Sequence, residues 1–473
     1  MRYRRSALVV VSLLASCSSP GDPGSMETSE SSLAGSWEYC TRTAVSTGVT
    51  PVEPEPYIRA MAGSGGGLIF PSDDGVRGRE PWVSSGSQGV GTRLLKDINP
   101  GAQGSDPAQF VQVGERVFFA ATDPVAGREL FVSDGTLAGT RRVADIWPGA
   151  LGSFPEELFA YQGLVYFAAG SPNHGRELWR SDGTPAGTVL VADLDPGVED
   201  TSPGAFTLGG DGALYFLAHL RGTFTLLMRF ETGSSPTEVY RAPSDPGIRA
   251  PLVPVGDKLF FITGDTHDDV VALMVSDSGA TPAMVGMFGE VGEMAGVGTQ
   301  LLFSATPEVG SDDMELWRSN GTMAGTVLVE DIRPGPQGSR PGSFTVLGNQ
   351  LFFAADDGFN GREPWDSDGT AAKTRLFGNL QPGGGSSNPE ALTTIEDHFF
   401  FRVDILSRGV EPWVSDGVRV TTVALTEPSP GPQSSNPRGF VRAGNDVFFT
   451  ATNASGVRRL YALPFRPEGT CPP

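Results

Sequence analysis

One tract recurs along this chain at a nearly constant interval, and that periodicity restricts the fold more than any other feature. Glu80-Pro81-Trp82, Glu129-Leu130-Phe131, Glu177-Leu178-Trp179, Glu315-Leu316-Trp317, Glu363-Pro364-Trp365 and Glu411-Pro412-Trp413 place their glutamates 49, 48, 138, 48 and 48 residues apart. The long gap equals three periods of 46 and holds two degenerate copies, at Leu227-Met228 and Leu273-Met274, while a ninth copy ends the chain at Leu460-Tyr461. Nine tandem units follow, and a period in this range is the mark of a repeat architecture in which each unit buries itself against its neighbours.

Each unit reads as four short strands. A turn-rich entry such as Pro100 to Pro107 leads to a short apolar segment, Phe110-Val111. A strongly apolar run follows, Val117-Phe118-Phe119-Ala120, then the Glu-Leu-Trp strand and a Ser-Asp-Gly-Thr turn, then a last strand and a Pro-Gly. Gly 63 and Pro 38 together exceed a fifth of the 473 residues, which suits a turn-dense all-β chain. The second run is apolar on consecutive rather than alternate residues, as in a strand covered on both faces. Four short strands per unit, stacked on both sides, predict an all-β fold: a β-propeller of about nine four-stranded blades. Eight blades, or another closed repeat β architecture, are the alternatives.

The tract resembles the ELWxxDGT repeat family, known mainly from surface and secreted bacterial proteins, myxobacteria among them. Glu177 to Thr184 matches it throughout, and Glu315 to Thr322 departs only in Asn320. The resemblance spans roughly Pro54 to Pro464; units four and five depart strongly. It implies a fold and a surface address, and brings no general catalytic activity.

The recurring residues have structural readings beside functional ones. Asp134, Asp182, Asp368 and Asp416 each precede glycine between two strands, as a tight turn requires. The competing reading, a ring of calcium-binding carboxylates, lacks the Asp-x-Asp-x-Asp spacing, so no cofactor is expected. The glutamates Glu80, Glu129, Glu177, Glu315, Glu363 and Glu411 occupy equivalent slots, whereas a catalytic pair needs two carboxylates in different environments. A backbone hydrogen bond or inter-blade ion pair is expected instead. Trp82, Trp179, Trp317, Trp365 and Trp413 share a slot with Phe131, Met228, Met274 and Tyr461, so bulk is kept and the indole is not, which indicates packing rather than sugar stacking. Trp147 lies outside the slot and is the better candidate for an exposed stacking surface. The four histidines show no metal-ligand spacing, and no nucleophile or phosphate-loop motif is present.

The first forty residues read as an address. Arg2, Arg4 and Arg5 precede the apolar run Ala7 to Leu14, which is too short to span a bilayer. It ends in Leu14-Ala15-Ser16-Cys17, which resembles the lipobox of bacterial lipoproteins. That likeness implies a signal peptide over 1–16, lipidation of Cys17, a Ser/Gly/Pro-rich tether over 17–36 and a propeller over 37–473. Ser18 after the cysteine implies the outer membrane. Loss of the three arginines would move the formal charge from −21 to −24, so nucleic acid is not an expected partner. The membrane would be met through the lipid alone, and a monomer is expected. Cys40 and Cys471 remain, flanking the repeats, and suggest a disulfide in an oxidising compartment.

These features point to a lipid-anchored cell-envelope binding module for a glycan or protein. A propeller enzyme acting on polysaccharide or peptide, and a structural or adhesive component, are the alternatives. A symmetric ring needs broken symmetry to make one site. The expected contacts therefore fall in units four and five (about Val198 to Gly289), at His219, Arg221, Asp265, His267, Asp268 and Asp269.

Overall fold

In the computed structural model, residues 36–47, 59–60, 67–86, 91–220, 222–243, 247–265, 270–426, 428–429 and 431–471 are described. The repeats form nine antiparallel sheets. Blade 2 shows the plan. Its inner strand Ala108–Val113 pairs with a second strand Arg116–Asp123, that with a third, Gly127–Ser133, and that with a short outer strand, Arg141–Arg142. The inner strands of blades 1 to 9 are Arg59–Ala60, Ala108–Val113, Glu156–Tyr161, Gly204–Leu208, Ile248–Val255, Glu290–Val297, Gly342–Leu347, Glu390–Ile395 and Arg438–Ala443. Each lies against the inner strand of the next blade, and Arg59–Ala60 lies against both Ala108–Val113 and Arg438–Ala443. The ring is closed. The chain folds as a nine-bladed β-propeller.

The reason for closure is visible in the core. There are nine buried apolar clusters among the described residues, one in every seam between adjacent blades, including Leu68 and Phe70 of blade 1 against Phe448 and Leu460 of blade 9. The consecutive apolar residues of the second strands feed two seams at once: Phe118 belongs to the cluster shared with blade 3 and Phe119 to the one shared with blade 1. A blade taken alone would expose both faces, so each sheet is stable only between two neighbours.

Blade 9 draws its outer edge from the other end of the chain. Its third strand, Arg458–Pro467, pairs with Trp37–Tyr39 (Trp37 opposite Pro467) and with Val45–Ser46 (Val45 opposite Ala462). Residues 40–44 bulge out between the two segments, and there Cys40 joins Cys471 in a disulfide, Cα to Cα 5.2 Å. The edge is also clasped to blade 8: Trp37 N–H donates to Asp397 at 2.8 Å and Thr426 N–H to the Arg42 carbonyl at 2.7 Å. Trp37 stacks on Phe465, with the Arg442 guanidinium 3.9 Å from its ring centre.

Candidate functional site

The repeated glutamate staples blades together. Glu363 is fully buried and accepts Leu380 N–H at 2.8 Å, Gln381 N–H at 3.3 Å, Ser387 N–H at 3.0 Å and the Ser387 hydroxyl at 2.6 Å. All four donors lie on the crossover from blade 7 to blade 8. Glu80, Glu129, Glu315 and Glu411 make the same kinds of bonds to their own crossovers. Burial pushes the carboxyls of Glu80, Glu129, Glu315 and Glu363 upward, and the crossover donors counter it. Glu177 has fewer donors, Leu194 N–H and the Thr201 hydroxyl, and burial pushes it up to about 7.

The same arrangement accounts for units four and five. Their slot residues are Leu226 and Ala272. In the units that keep the glutamate the crossover is long, as over residues 95–107, but only residues 244–247 lie between Thr237–Pro243 and Ile248–Val255 after blade 4, and after blade 5 a single residue, Gly289, separates the outer strand Ala283–Phe288 from the next inner strand. A crossover that short has no amides to staple, so a buried glutamate there would be unpaired.

The aspartates cap turns. Asp134 Oδ1 accepts Thr136 N–H at 2.9 Å and the Thr136 hydroxyl at 2.7 Å, and these bonds hold its carboxyl below the usual range. Asp182 and Asp368 repeat the geometry, as does Asn320. The turn differs from the two-residue hairpin that Asp-Gly suggests. Only the glycine has positive φ, 84° at Gly135, and the connection runs through residue 140, closed by Ser133 Oγ and Thr140 Oγ1 at 2.7 Å. The side-chain bonds from Thr136 substitute for the second left-handed residue.

The aromatic slot fills seams. Trp82, Phe131, Trp179, Met228, Met274, Trp317, Trp365, Trp413 and Tyr461 each pack in the cluster shared with the preceding blade. The indole N–H groups of Trp179, Trp317, Trp365 and Trp413 have no hydrogen-bond partner among the described residues. Trp147 is half-buried, with its six-membered ring against Gly170.

Of the contacts expected in units four and five, His219 is exposed at the end of blade 4's second strand and Asp265 ends that of blade 5. Arg221, His267, Asp268 and Asp269 lie outside the described residues, as does Cys17. Blade 4 has a network that motif reading missed: Arg229 bonds Asp211 at 2.9 Å, the Tyr215 hydroxyl at 3.1 Å and Glu231 at 2.5 Å. Burial, with Asp211 as hydrogen-bond partner, pushes the Tyr215 phenol up to about 12. Asp313, Glu315 and Asp331 bring three carboxylates within 4.8 Å in blade 6, the one grouping with metal-ligand spacing among the described residues. Burial and Asp331 raise Asp313, while Glu315 is already committed to its crossover.

The inner strands line the central channel. Their aromatic residues Phe110, Phe159, Phe206, Phe344 and Phe440 turn into the seams. Their carboxylates are mostly satisfied: Glu156 pairs with Arg176 at 2.8 Å, Glu390 with Arg402, and Glu396, in the turn that follows, with Arg442. Glu157 accepts Ala205 N–H at 3.2 Å, and Glu293 accepts Ser343 and Phe344 N–H at 2.8 and 2.7 Å. Glu290 is exposed and has no ion-pair partner among the described residues. A cavity of about 500 Å³ opens between the inner strands of blades 8 and 9, bordered by Thr393, Thr394, Glu396, Arg442 and, from blade 2, Gln112.

No family model matches the chain, and no curated protein does. Among solved structures it is similar to a prolyl endopeptidase, with TM-score 0.41, 13% identity and coverage of 74% of this chain and 54% of that one. It is also similar to a puromycin-hydrolysing peptidase of Mycobacterium tuberculosis, with TM-score 0.41, 11% identity and coverage of 73% and 58%. A third is the β-propeller domain of the Trilobed protease from Pyrococcus furiosus, with TM-score 0.38, 12% identity and coverage of 68% and 98%. The chain thus spans little more than half the length of the two peptidases.

Proposed function

We propose that this chain is a lipid-anchored binding module of the cell envelope, presenting the polar channel of a rigid propeller to its ligand. The observation that supports binding over catalysis is the state of the channel carboxylates. Acid–base hydrolysis needs two carboxyl groups in contrasting environments facing one substrate. Of the carboxylates on the described inner strands, Glu156 and Glu390 pair with arginines and Glu157 and Glu293 accept backbone amides, so Glu290 has no second strand carboxylate of contrasting state to work with. The inner-strand aromatics face the seams, so recognition in the channel would be polar. The lipid anchor rests on Leu14-Ala15-Ser16-Cys17.

The test is a glycan and peptide array probed with the full-length processed protein in detergent, with hydrolysis of each retained ligand followed in parallel. Retention without cleavage is expected; turnover of any retained ligand would overturn the reading. Mass spectrometry of the same material should find an acylated N-terminal Cys17, and Cys17→Ser should stay unprocessed. An unmodified N-terminus would remove the anchor.

A further inference from the structure

The inner strands share a backbone device. In blade 7 the register skips from Gly342 opposite Ala354 to Thr345 opposite Phe352, so Ser343 and Phe344 face a single partner residue. This is a β-bulge, and its first residue, Ser343, is left-handed at φ 58°. The bulge turns both N–H groups away from the second strand and toward blade 6, where the Glu293 carboxylate takes one on each oxygen at 2.8 and 2.7 Å. Paired main-chain amides of this kind form a concavity for anions. In blade 4 the Ala205 amide, with the same skip and φ 52°, is taken by Glu157 of blade 3.

Blade 9 repeats the geometry without a carboxylate. The register skips from Arg438 opposite Thr450 to Val441 opposite Phe448, and Gly439 has φ 66°. On blade 8 the bulge position that Glu157 holds in blade 3 belongs to Ala391, with φ 55° against 56°. Alanine has nothing to offer an amide, and no side chain bonds the Gly439 or Phe440 amide among the described residues. The cavity between blades 8 and 9 starts one residue further along each strand, its border including Phe440 and Thr393 but neither Gly439 nor Ala391, and Arg442 also borders it while its guanidinium is held by Glu396 and the Trp37 ring.

We propose that this channel mouth is a carboxylate-binding site. The Gly439 and Phe440 amides take the carboxylate of a small organic acid or of a peptide C-terminus, as Ser343 and Phe344 take that of Glu293. Main-chain amides capture terminal carboxylates in this way in other recognition domains. A small ligand is favoured because a formal charge of −21 repels extended polyanions at long range, whereas hydrogen bonds at contact distance are scarcely affected. The inference rests on the binding reading above and narrows its ligand class. An array ligand without a carboxylate would leave that reading standing and end this one.

The test uses the full-length protein at pH 7 and constant ionic strength, titrated calorimetrically with succinate, acetyl-dialanine and acetyl-dialanine amide. One equivalent of a carboxylate ligand should bind and the amide should not; succinate alone would identify a free acid, the peptide alone a chain terminus. Ala391→Glu should weaken binding at least tenfold by supplying the carboxylate internally. Ser343→Glu, which would close the blade 8 amides instead, should leave it unchanged. Glu293→Ala frees the blade 7 amides, away from the cavity between blades 8 and 9, and should leave the stoichiometry at one; Ala391→Asp decides the matter if Ala391→Glu does not fold. Equal binding of the amide, an unchanged affinity in Ala391→Glu, or a loss confined to Ser343→Glu would each overturn the proposal.

Discussion

Glu177 differs from its five counterparts by a matter of donors. Its Oε1 has no partner among the described residues, and burial lifts its carboxyl to about 7, above the ordinary 4.5. A raised carboxyl binds its proton more tightly in the folded than in the unfolded state. Its contribution to stability is therefore complete below about pH 4.5 and is lost as the pH climbs towards 7. Glu177→Gln cannot ionise, so its melting temperature relative to the native protein should rise between pH 4.5 and 7; a constant difference would refute the assignment. Trp365 tests the seam at the same scale. Trp365→Ala should cost ~3–5 kcal/mol by cavity formation, and Trp365→Met clearly less, since Met228 and Met274 fill that slot in blades 4 and 5. Chemical denaturation of both variants decides it. The packing role was legible in the chain because the slot substitutes bulk for bulk. The staple was not, because its donors are amides 17 to 24 residues away, with no side-chain signature beyond a serine or threonine.

At the scale of the element, the glycine of the Gly-Arg-Glu tract sets how closely the third strand meets the crossover. Gly127 has φ 72°, and a Cβ there would lie 2.6 Å from Gly152 N and 2.7 Å from the Ala150 carbonyl. Gly127→Ala combines a left-handed alanine with a main-chain clash and should cost roughly 2–4 kcal/mol, read by urea unfolding. A loss under 1 kcal/mol would mean that the crossover yields. The strand plan of each unit could be read directly, since consecutive apolar residues, turn residues and period agree. The bulges could not. Gln109, Glu157, Ala205, Ser343 and Ala391 adopt positive φ without being glycine, and nothing in their identity announces it. Each opens a register skip in its inner strand, so the bulge carries the conformation and local propensity does not.

For the whole molecule, the Cys40–Cys471 bridge and the edge strand Trp37–Tyr39 hold the ring where it would otherwise open. The bridge spans 431 residues, for which the chain-entropy model gives a stabilisation of about 6 kcal/mol at most. Reduction, or the pair Cys40→Ser and Cys471→Ser, should lower the melting temperature and expose blade 9 first. Hydrogen exchange should show loss of protection in Arg458–Pro467 before the third strands of blades 2 to 7. Uniform loss of protection would indicate that the seams alone close the propeller. Among the described residues the buried members of the seam between blades 9 and 1 are Leu68, Phe70, Ala443, Phe448, Leu460 and Ala462.

The amino-acid sequence by itself determined the number of units, the all-β class and the blade architecture. These follow from period and hydrophobic pattern, which are local properties repeated often enough to be unambiguous. It also singled out Cys40 and Cys471, because two cysteines flanking a repeat array have a shared purpose once the array is circular. Tertiary structure decided what the repeated carboxylates do, why units four and five lost theirs, and which channel amides are filled. Each of those depends on which main-chain groups lie beside a side chain after nine blades have closed. Main-chain donors are the same at every residue of a sequence, so only their placement in space distinguishes one from another.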